Sequence, residues 1–342
     1  MMVIAIVVLG GGYLFYGRYL EKKWGIDPNA KTPAYELEDG VDYVPADTNI
    51  VFGHQFASIA GAGPINGPIQ AAIFGWLPVL LWILIGGVFF GAVQDFASMY
   101  ASVKNKGRTI GYIIEEYIGK LGKKLFLLFC WLFCILVVAA FADVVAGTFN
   151  GFVADDAGVV SKVAANGAVA TTSMLFIVEA VALGCILKYA KLNKWVNTAI
   201  AIVMLVAAVA LGLYFPMYLT RETWHILIFI YILIASVAPV TMLLQPRDYL
   251  NSYLLIFMIV GAIIGVFVAN PACNLDAFTA FAIPDANGNP QYLFPILFVT
   301  IACGAVSGFH SLVSSGTATK QIKNEKNMLP VSFGAMLMES ML

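Results

Sequence analysis

Two stretches of the chain place polar side chains beside helix-breaking residues inside apolar sequence. The first, residues 51–71 (VFGHQFASIAGAGPINGPIQA), carries His54 and Ser58 one helical turn apart, followed by several glycines and prolines. Glycine weakens a helix and proline removes an amide donor, so a continuous membrane helix is not expected here. An unpaired backbone group is costly in hydrocarbon, so such a break needs protein or a water-filled cavity around it. The stretch therefore predicts half of a solute-binding site.

The second stretch, residues 308–320 (GFHSLVSSGTATK), repeats this arrangement near the end of the chain. His310 and Ser314 have the same i, i+4 spacing as His54 and Ser58, and a glycine-bearing polar break follows in both cases. Two related solute-binding halves are one interpretation. The alternative is a pair of Ser/Gly-rich packing seams between helices.

The composition predicts which elements carry these stretches. The chain has 342 residues, of which 61% are hydrophobic and 11% charged, whereas soluble domains contain about 25% charged residues. Its mean hydropathy is +0.86. The fold class expected is therefore an all-α, polytopic helical membrane protein. The five cysteines lie in or beside apolar segments without metal-ligand spacing, so we expect core residues, no metal site and no cofactor.

Ten membrane segments are predicted from the apolar runs, and the distribution of basic residues predicts their orientation. Loops after the odd-numbered segments hold 17 of the 19 Lys and Arg residues. Basic loops stay in the cytoplasm, so the N-terminus is expected outside. The first cytoplasmic loop, residues 21–49, is acidic and expected to be solvated, with a regulatory contact as the alternative. The segments are 1–20, 50–73, 75–102, 123–148, 168–189, 193–214, 224–243, 249–270, 291–318 and a tenth from Pro330.

The two polar stretches fall in the second and ninth segments, which run in opposite directions. This is the arrangement of an inverted repeat, in which broken helices hold solute near the membrane midplane. The second repeat is incomplete at residue 342, so further helices or a partner chain in a homo-oligomer are expected to complete it. The predicted parts are the first helix with its acidic loop (1–49), the first repeat (50–214), connecting helices with an outer loop (215–290) and the start of the second repeat (291–342).

Ionisable residues within membrane segments are rare and are functional by default. The alternative is that they bond backbone carbonyls freed by the breaks. The residues predicted to couple transport to a proton or ion are His54, Asp143, Glu179 and His310. The residues predicted to act in gating or structure are Pro64, Pro68, Asp95, Arg247 and Asp248.

The motifs of several other protein classes are missing from the sequence. It has no Walker loop, no dinucleotide fingerprint, no metalloprotease motif and no nucleophile–base pair that can be placed, so catalytic residues are not expected. Nothing in it indicates nucleic-acid binding. Secondary transport remains, with a membrane nutrient sensor using the same pocket as the alternative.

Four motifs in order, FGHQFASIAGAGPINGP, GAVQDFASM, QPRDYLN and SGFHSLVSSGT, resemble the carbon starvation protein A family. The resemblance covers nearly the whole chain, although family members are considerably longer. It implies a multi-pass transporter of a bacterial or archaeal inner membrane that takes up peptides during carbon starvation or, in some members, pyruvate with protons. The substrate-binding residues implied by motif are His54, Ser58, Gly61, Gly63, Asn66, His310, Ser314 and Ser315.

The expected partners are a peptide or pyruvate, a coupling proton or sodium ion, and membrane lipid. Half-helix N-termini after Pro68 and near Thr317 are expected to present free N–H groups to a solute carboxylate.

Overall fold

The computed structural model describes residues 1–154, 160–189, 193–238, 243–285 and 288–342, and most of these residues are helical. Each of the ten predicted membrane segments contains helix, although residues 239–242 of the seventh lie outside the described residues. The helices are α1 Met2–Lys23, α2 Pro33–Glu36, α3 Thr48–Ile59, α4 Gly63–Ala71, α5 Trp76–Lys104, α6 Ile110–Tyr117, α7 Lys120–Phe149, α8 Ala164–Tyr189, α9 Lys194–Tyr214, α10 Arg221–Val237, α11 Leu244–Ala269, α12 Leu293–Thr300, α13 Ala302–Ala305, α14 Gly308–Gly316 and α15 Ala335–Met341. Two short antiparallel hairpins pair β1 Phe152–Ala154 with β2 Val160–Lys162, and β3 Ala282–Pro284 with β4 Pro290–Tyr292.

Within the described residues, six helices are long and apolar enough to cross a membrane. The segments predicted to be broken, which contain α3–α4 and α12–α14, are not among these six because each is divided into shorter helices. The helical membrane class predicted from composition is confirmed.

The chain forms two compact units. The first contains residues 1–113 and 251–342, and the second contains residues 114–250. In the first unit the largest apolar core joins α1, α5 and the segment before α15, with Phe96, Met99 and Phe333 fully buried. In the second unit α8 packs along α9 and α10 packs on α7, where Trp224 lies edge-on to Phe149. The proposed repeat boundaries stay a prediction.

The first predicted break separates α3 from α4. Helix α3 starts where the Asp47 side chain accepts the amide of Asn49, and it ends at Ala60, whose ψ of 66° is non-helical. Helix α4 then begins at Gly63 with Pro64 in its first turn, where the missing amide costs nothing because first-turn amides have no intrahelical partner. The prediction that this half-helix starts after Pro68 was wrong, because Pro68 lies inside α4.

In the second polar stretch the backbone is non-helical both before and after α14. Before it, Val306 and Ser307 are extended, with φ of −162° and −124°. The carbonyl of Ser307 accepts a hydrogen bond from Gln94 Nε2 at 2.6 Å, and the carbonyl of Gly304 accepts one from Ser340 Oγ at 3.1 Å. Protein donors therefore satisfy the backbone that the break exposes, as a low-dielectric environment requires.

The N-terminus of the second half-helix also differs from the sequence prediction. Thr317 ends α14 with φ of −121°, whereas the helix begins at Gly308. The free amides expected near Thr317 therefore lie at the opposite end of α14, before His310.

Glycines allow backbones to touch where these broken segments pack. A Cβ atom added to Gly67 of α4 would collide with the carbonyl oxygen of Thr300, and one added to Gly91 of α5 would collide with that of Ala305. These close approaches join α4 and α5 to the segment that precedes α14.

The described residues include three π-turns, in which the backbone bonds span one residue more than in an α-helix. The turns are Gly12–Gly17 in α1, Gly87–Gly91 in α5 and Leu329–Gly334, which leads directly into α15. Val88 of the second turn packs on Gly12 of the first. The three turns thus lie in elements that share the core of the first unit.

The acidic loop after α1 is partly ordered against residues 318–327. Thr32 and Ala34 are fully buried, the Asp27 amide donates to Glu325 Oε2 at 2.9 Å, and the Ala46 amide donates to the carbonyl of Gln321 at 3.1 Å. The tip of the loop remains exposed. There the Asp39 carboxylate accepts the amides of residues 41, 42 and 43, and these bonds lower its pKa.

Replacing Lys104 with methionine is expected to destabilise this docked loop. Lys104 Nζ lies 2.7 Å from Oε1 of Glu325, a residue that is only 2% exposed. Loss of a hydrogen bond to a buried charge costs about 1–3 kcal/mol. The midpoint of thermal unfolding in detergent measures the effect. Lys320→Met is the control, because Lys320 pairs with the exposed Asp42 at 3.4 Å and little change is expected. Equal shifts for both variants would contradict the prediction.

Candidate functional site

Three ionisable side chains meet inside the first unit. His310 of α14 lies between two carboxylates, with Nδ1 at 3.3 Å from Asp95 Oδ2 and Nε2 at 3.3 Å from Glu339 Oε2. The exposed fractions of Asp95 and His310 are 0%, and that of Glu339 is 1%. Asp95 comes from α5 and Glu339 from α15, so three separate helices build this cluster.

The buried cluster contains two acidic side chains and one basic side chain. Among the described residues, the ion pairs of Asp95 and Glu339 are with His310 alone. Neither nitrogen of His310 and no oxygen of the two carboxylates completes a well-aligned hydrogen bond within the described part of the chain. Buried charges are normally paired and fully hydrogen-bonded, because their desolvation is costly. This arrangement is therefore a candidate functional centre.

Cys303 lies beside the cluster. Its Sγ, a ring nitrogen of His310 and a carboxylate oxygen of Glu339 all lie within 4.8 Å of one another. Cys303 belongs to α13, and its Sγ contacts the backbone at Gly63, 2.7 Å from where a Cβ would stand. The first residue of half-helix α4 is thus next to the cluster.

A second buried contact joins the two broken helices directly. Gln55 Nε2 of α3 donates to Ser314 Oγ of α14 at 2.9 Å, and both residues are fully buried. The neighbouring His54 is 4% exposed, and its Nδ1 lies 3.5 Å from Ser58 Oγ. The two stretches singled out by their matching spacing are therefore in contact.

We expect the Gln55–Ser314 hydrogen bond to be measurable by a double-mutant cycle. Gln55→Leu and Ser314→Ala each remove one partner, and the second substitution should have less effect when the first is already present. The expected coupling is about 1 kcal/mol in unfolding free energy, the usual net value of such a bond. Thermal unfolding of the two single variants and the double variant measures it. Strictly additive effects would show that the contact is not formed.

The other residues predicted to bind substrate differ in their surroundings. Gly61 and Gly63 are half-buried at the first break, whereas Asn66 is exposed on α4. Ser315 is buried, but its hydroxyl donates to the Ser311 carbonyl at 2.7 Å. That bond ties its side chain to the backbone of its own helix.

Asp143, predicted as a coupling residue, belongs to the second unit. Both of its carboxylate oxygens lie 2.6 Å from the Arg221 guanidinium, and one lies 3.0 Å from His225 Nε2. The Asp143 side chain is 53% exposed. Its coupling role stays a prediction, and the proposal below does not use it.

Glu179 and the Arg247–Asp248 pair also lie in the second unit. Glu179 is half-buried in α8, and its Oε2 has no hydrogen-bond partner among the described residues. Arg247 donates to Asp248 Oδ1 at 2.8 Å and to the Tyr231 hydroxyl at 2.8 Å. Arg247 and Asp248 are therefore in direct contact, and their predicted role in gating or structure stays a prediction.

Three residues of the site were missed or undervalued from sequence. Cys303 was expected to be a core residue, and neither Gln55 nor Glu339 was assigned to the site. Asp95 was assigned to gating or structure, and the structure places it against His310. Contacts between helices far apart in sequence bring these side chains together, and helical periodicity does not reveal such contacts.

The fold and site together define a class of protein. The described residues contain six helices long enough to span a membrane and two broken helices with buried polar groups at the breaks, which defines a polytopic helical membrane protein. The chain belongs to the family described as carbon starvation protein CstA, which matches residues 1–342.

Relatives in this family are named as transporters. The chain is 36% identical to the peptide transporter CstA of Escherichia coli K12, over 99% of this chain and 48% of the relative. It is also 36% identical to the pyruvate/proton symporter BtsT of the same strain, over 99% of this chain and 47% of that protein. The peptide transporter CstA of Bacillus subtilis is 36% identical, with 99% and 56% covered. The chain thus spans about half the length of the curated relatives it matches. No solved structure matches it.

Proposed function

We propose that this protein takes up small peptides or pyruvate-like organic acids by secondary active transport, coupled to a proton, across a bacterial inner membrane. The observation that carries the proposal is the buried Gln55–Ser314 contact, which brings two broken helices together. Secondary transporters of inverted-repeat architecture bind solute between such helices. The names of the relatives, peptide transporter and pyruvate/proton symporter, support the class of solute and the coupling ion.

The half-helices α4 and α14 supply the groups that would bind a solute carboxylate. They begin at Gly63 and Gly308, and neither N-cap residue has a side-chain hydrogen bond to the helix. Helix N-termini attract anions through free amides and a partial positive charge. The proposed solute-binding residues remain His54, Ser58, Gly61, Gly63, Asn66, His310, Ser314 and Ser315.

The coupling proton is assigned to His54. An imidazole can bind and release a proton in the physiological pH range. His54 is buried in α3 before the first break, next to Gln55, whose side chain contacts Ser314 of the other broken helix. Glu179, half-buried in α8, is the second candidate.

The loops predicted to be cytoplasmic meet one another in the first unit. The Tyr43 hydroxyl donates to the Lys106 carbonyl at 3.2 Å, and Lys320 pairs with Asp42. These contacts join the loops after the first, third and ninth segments. Loops that touch one another must lie on the same side of the membrane. The contacts support the proposed orientation, in which these loops face the cytoplasm and the N-terminus faces outward.

Uptake into proteoliposomes tests the proposal. Radiolabelled pyruvate and di- or tripeptides are offered with and without an inward proton gradient. We expect accumulation that depends on the gradient and is lost in His54→Gln. Binding of these solutes without accumulation would overturn the transport proposal and favour a membrane nutrient sensor. Accumulation driven by a sodium gradient alone would overturn the choice of proton.

A further inference from the structure

We propose that Cys303, His310 and Glu339 bind one Zn²⁺ ion, with Asp95 orienting the His310 ring. The three side chains offer one sulfur, one nitrogen and one oxygen ligand, and these atoms lie within 4.8 Å of one another. The ligand types match those that zinc takes in proteins. The sequence predicted no metal site, because cysteine spacing alone gave no signal for one.

The distances fit a site that closes slightly around the ion. Tetrahedral zinc bonds of about 2.0 Å to nitrogen or oxygen and about 2.3 Å to sulfur place these ligand atoms about 3.3–3.6 Å apart. His310 Nε2 and Glu339 Oε2 already lie 3.3 Å apart. The Cys303 sulfur has to move by at most about 1.3 Å, which a side-chain rotation provides.

The hydrogen-bond pattern of the cluster points to a ligand. Glu339 is 1% exposed, and both its oxygens lack hydrogen-bond partners in the described part of the chain, as does His310 Nε2. The nitrogen and the carboxylate approach each other without the alignment of a hydrogen bond. Both therefore keep free electron pairs for a shared cation.

Asp95 supplies the outer support that zinc-bound histidines have. It lies 3.3 Å from Nδ1, the ring nitrogen opposite the proposed bond. Once the ring turns toward the ion, a carboxylate at this distance would accept the Nδ1 proton, and this tautomer leaves Nε2 free to bind metal. The two acids beside His310 then have different roles. Asp95 orients the ring, and Glu339 shares the ion.

A divalent cation can replace the proton on His310 and the proton on Cys303 without changing the net charge of the cluster. Asp95 and Glu339 are two buried acids whose ion pairs among the described residues are with a single histidine. An unneutralised charge in a buried site costs several kcal/mol. A Zn²⁺ ion offsets the Glu339 carboxylate and a Cys303 thiolate. With three protein ligands, one coordination position is left for water or solute.

Metal analysis of the protein extracted in detergent tests the proposal, with a purification tag that contains no histidine. After Zn²⁺ loading and removal of free metal, we expect about one Zn²⁺ per chain by plasma mass spectrometry. Cys303→Ser and Glu339→Gln should lose it, and Asp95→Asn should weaken zinc affinity about 10–100-fold in chelator competition. Cys185→Ser and His54→Gln are the matched controls and should retain zinc.

A measurement on the unaltered protein keeps the test independent of how variants fold. Co²⁺ loading should give the near-ultraviolet charge-transfer band of a cobalt–thiolate bond. Absence of both this band and bound zinc would overturn the proposal and leave an imidazolium held between two acids. Equal zinc content in Cys303→Ser and Cys185→Ser would overturn it as well. Neither readout depends on uptake, so the result is separate from that of the transport experiment.

Discussion

Replacing His310 with glutamine is expected to be the most destabilising conservative substitution at the site. The variant leaves Asp95 and Glu339 buried without the side chain that both contact at 3.3 Å. Removing one partner from a buried ion pair typically costs about 3–5 kcal/mol. The midpoint of thermal unfolding in detergent at neutral pH should fall clearly, and uptake should be lost with it.

His225→Gln is the control for this prediction. His225 also contacts a carboxylate, that of Asp143, at 3.0 Å, but the two side chains are 42% and 53% exposed. Exposed pairs contribute little because water and salt screen them. We therefore expect almost no change in the unfolding midpoint. If His310→Gln is as mild as His225→Gln, the cluster around His310 does not carry buried charge.

Replacing Gly67 with alanine is expected to separate α4 from the segment before the second break. The added Cβ would collide with the Thr300 carbonyl oxygen and crowd Ile301 Cα at 3.3 Å. Both contacts are backbone, so no side-chain rotation relieves them. Inserting a methyl group into such a packed site costs about 1–3 kcal/mol. The unfolding midpoint should fall, and uptake should fall further, because α4 also places Gly63 against Cys303.

Gly265→Ala provides the matched control. An added Cβ at this position meets no atom of the described residues within 4 Å. Alanine also favours a helix more than glycine does, so α11 should be unchanged or slightly more stable. Equal losses in the two variants would mean that Gly67 matters for reasons other than its contact with Thr300.

The sequence predicted the helices and the existence of both breaks because each has a local cause. Long apolar runs give the membrane helices, and clustered Gly and Pro interrupt the second segment. The start of α4 could also have been predicted from the sequence, because Pro64 suits a first helical turn. Pro68 was instead interpreted only as a residue that breaks a helix. The shared spacing of His54 and His310 correctly singled out two helices that touch.

The composition of the buried cluster was not predictable in the same way. Asp95, Cys303 and Glu339 lie on different helices from His310, and no local pattern relates their positions. Tertiary packing alone brings them together. Asp95 was therefore assigned only to gating or structure, and Cys303 to the core on residue type.

The π-turns of α5 and of the segment before α15 determine which face of each helix carries the acids of the cluster, Asp95 and Glu339. Asp95 follows the turn Gly87–Gly91, and Glu339 follows Leu329–Gly334. One extra residue in a helical turn rotates everything after it by about 100°. Without the inserted residue, each acid would point away from His310 while the hydrophobicity of its helix stayed nearly the same. A single-residue deletion in either turn would thus remove one acid from the cluster and leave a helix that still spans the same apolar length.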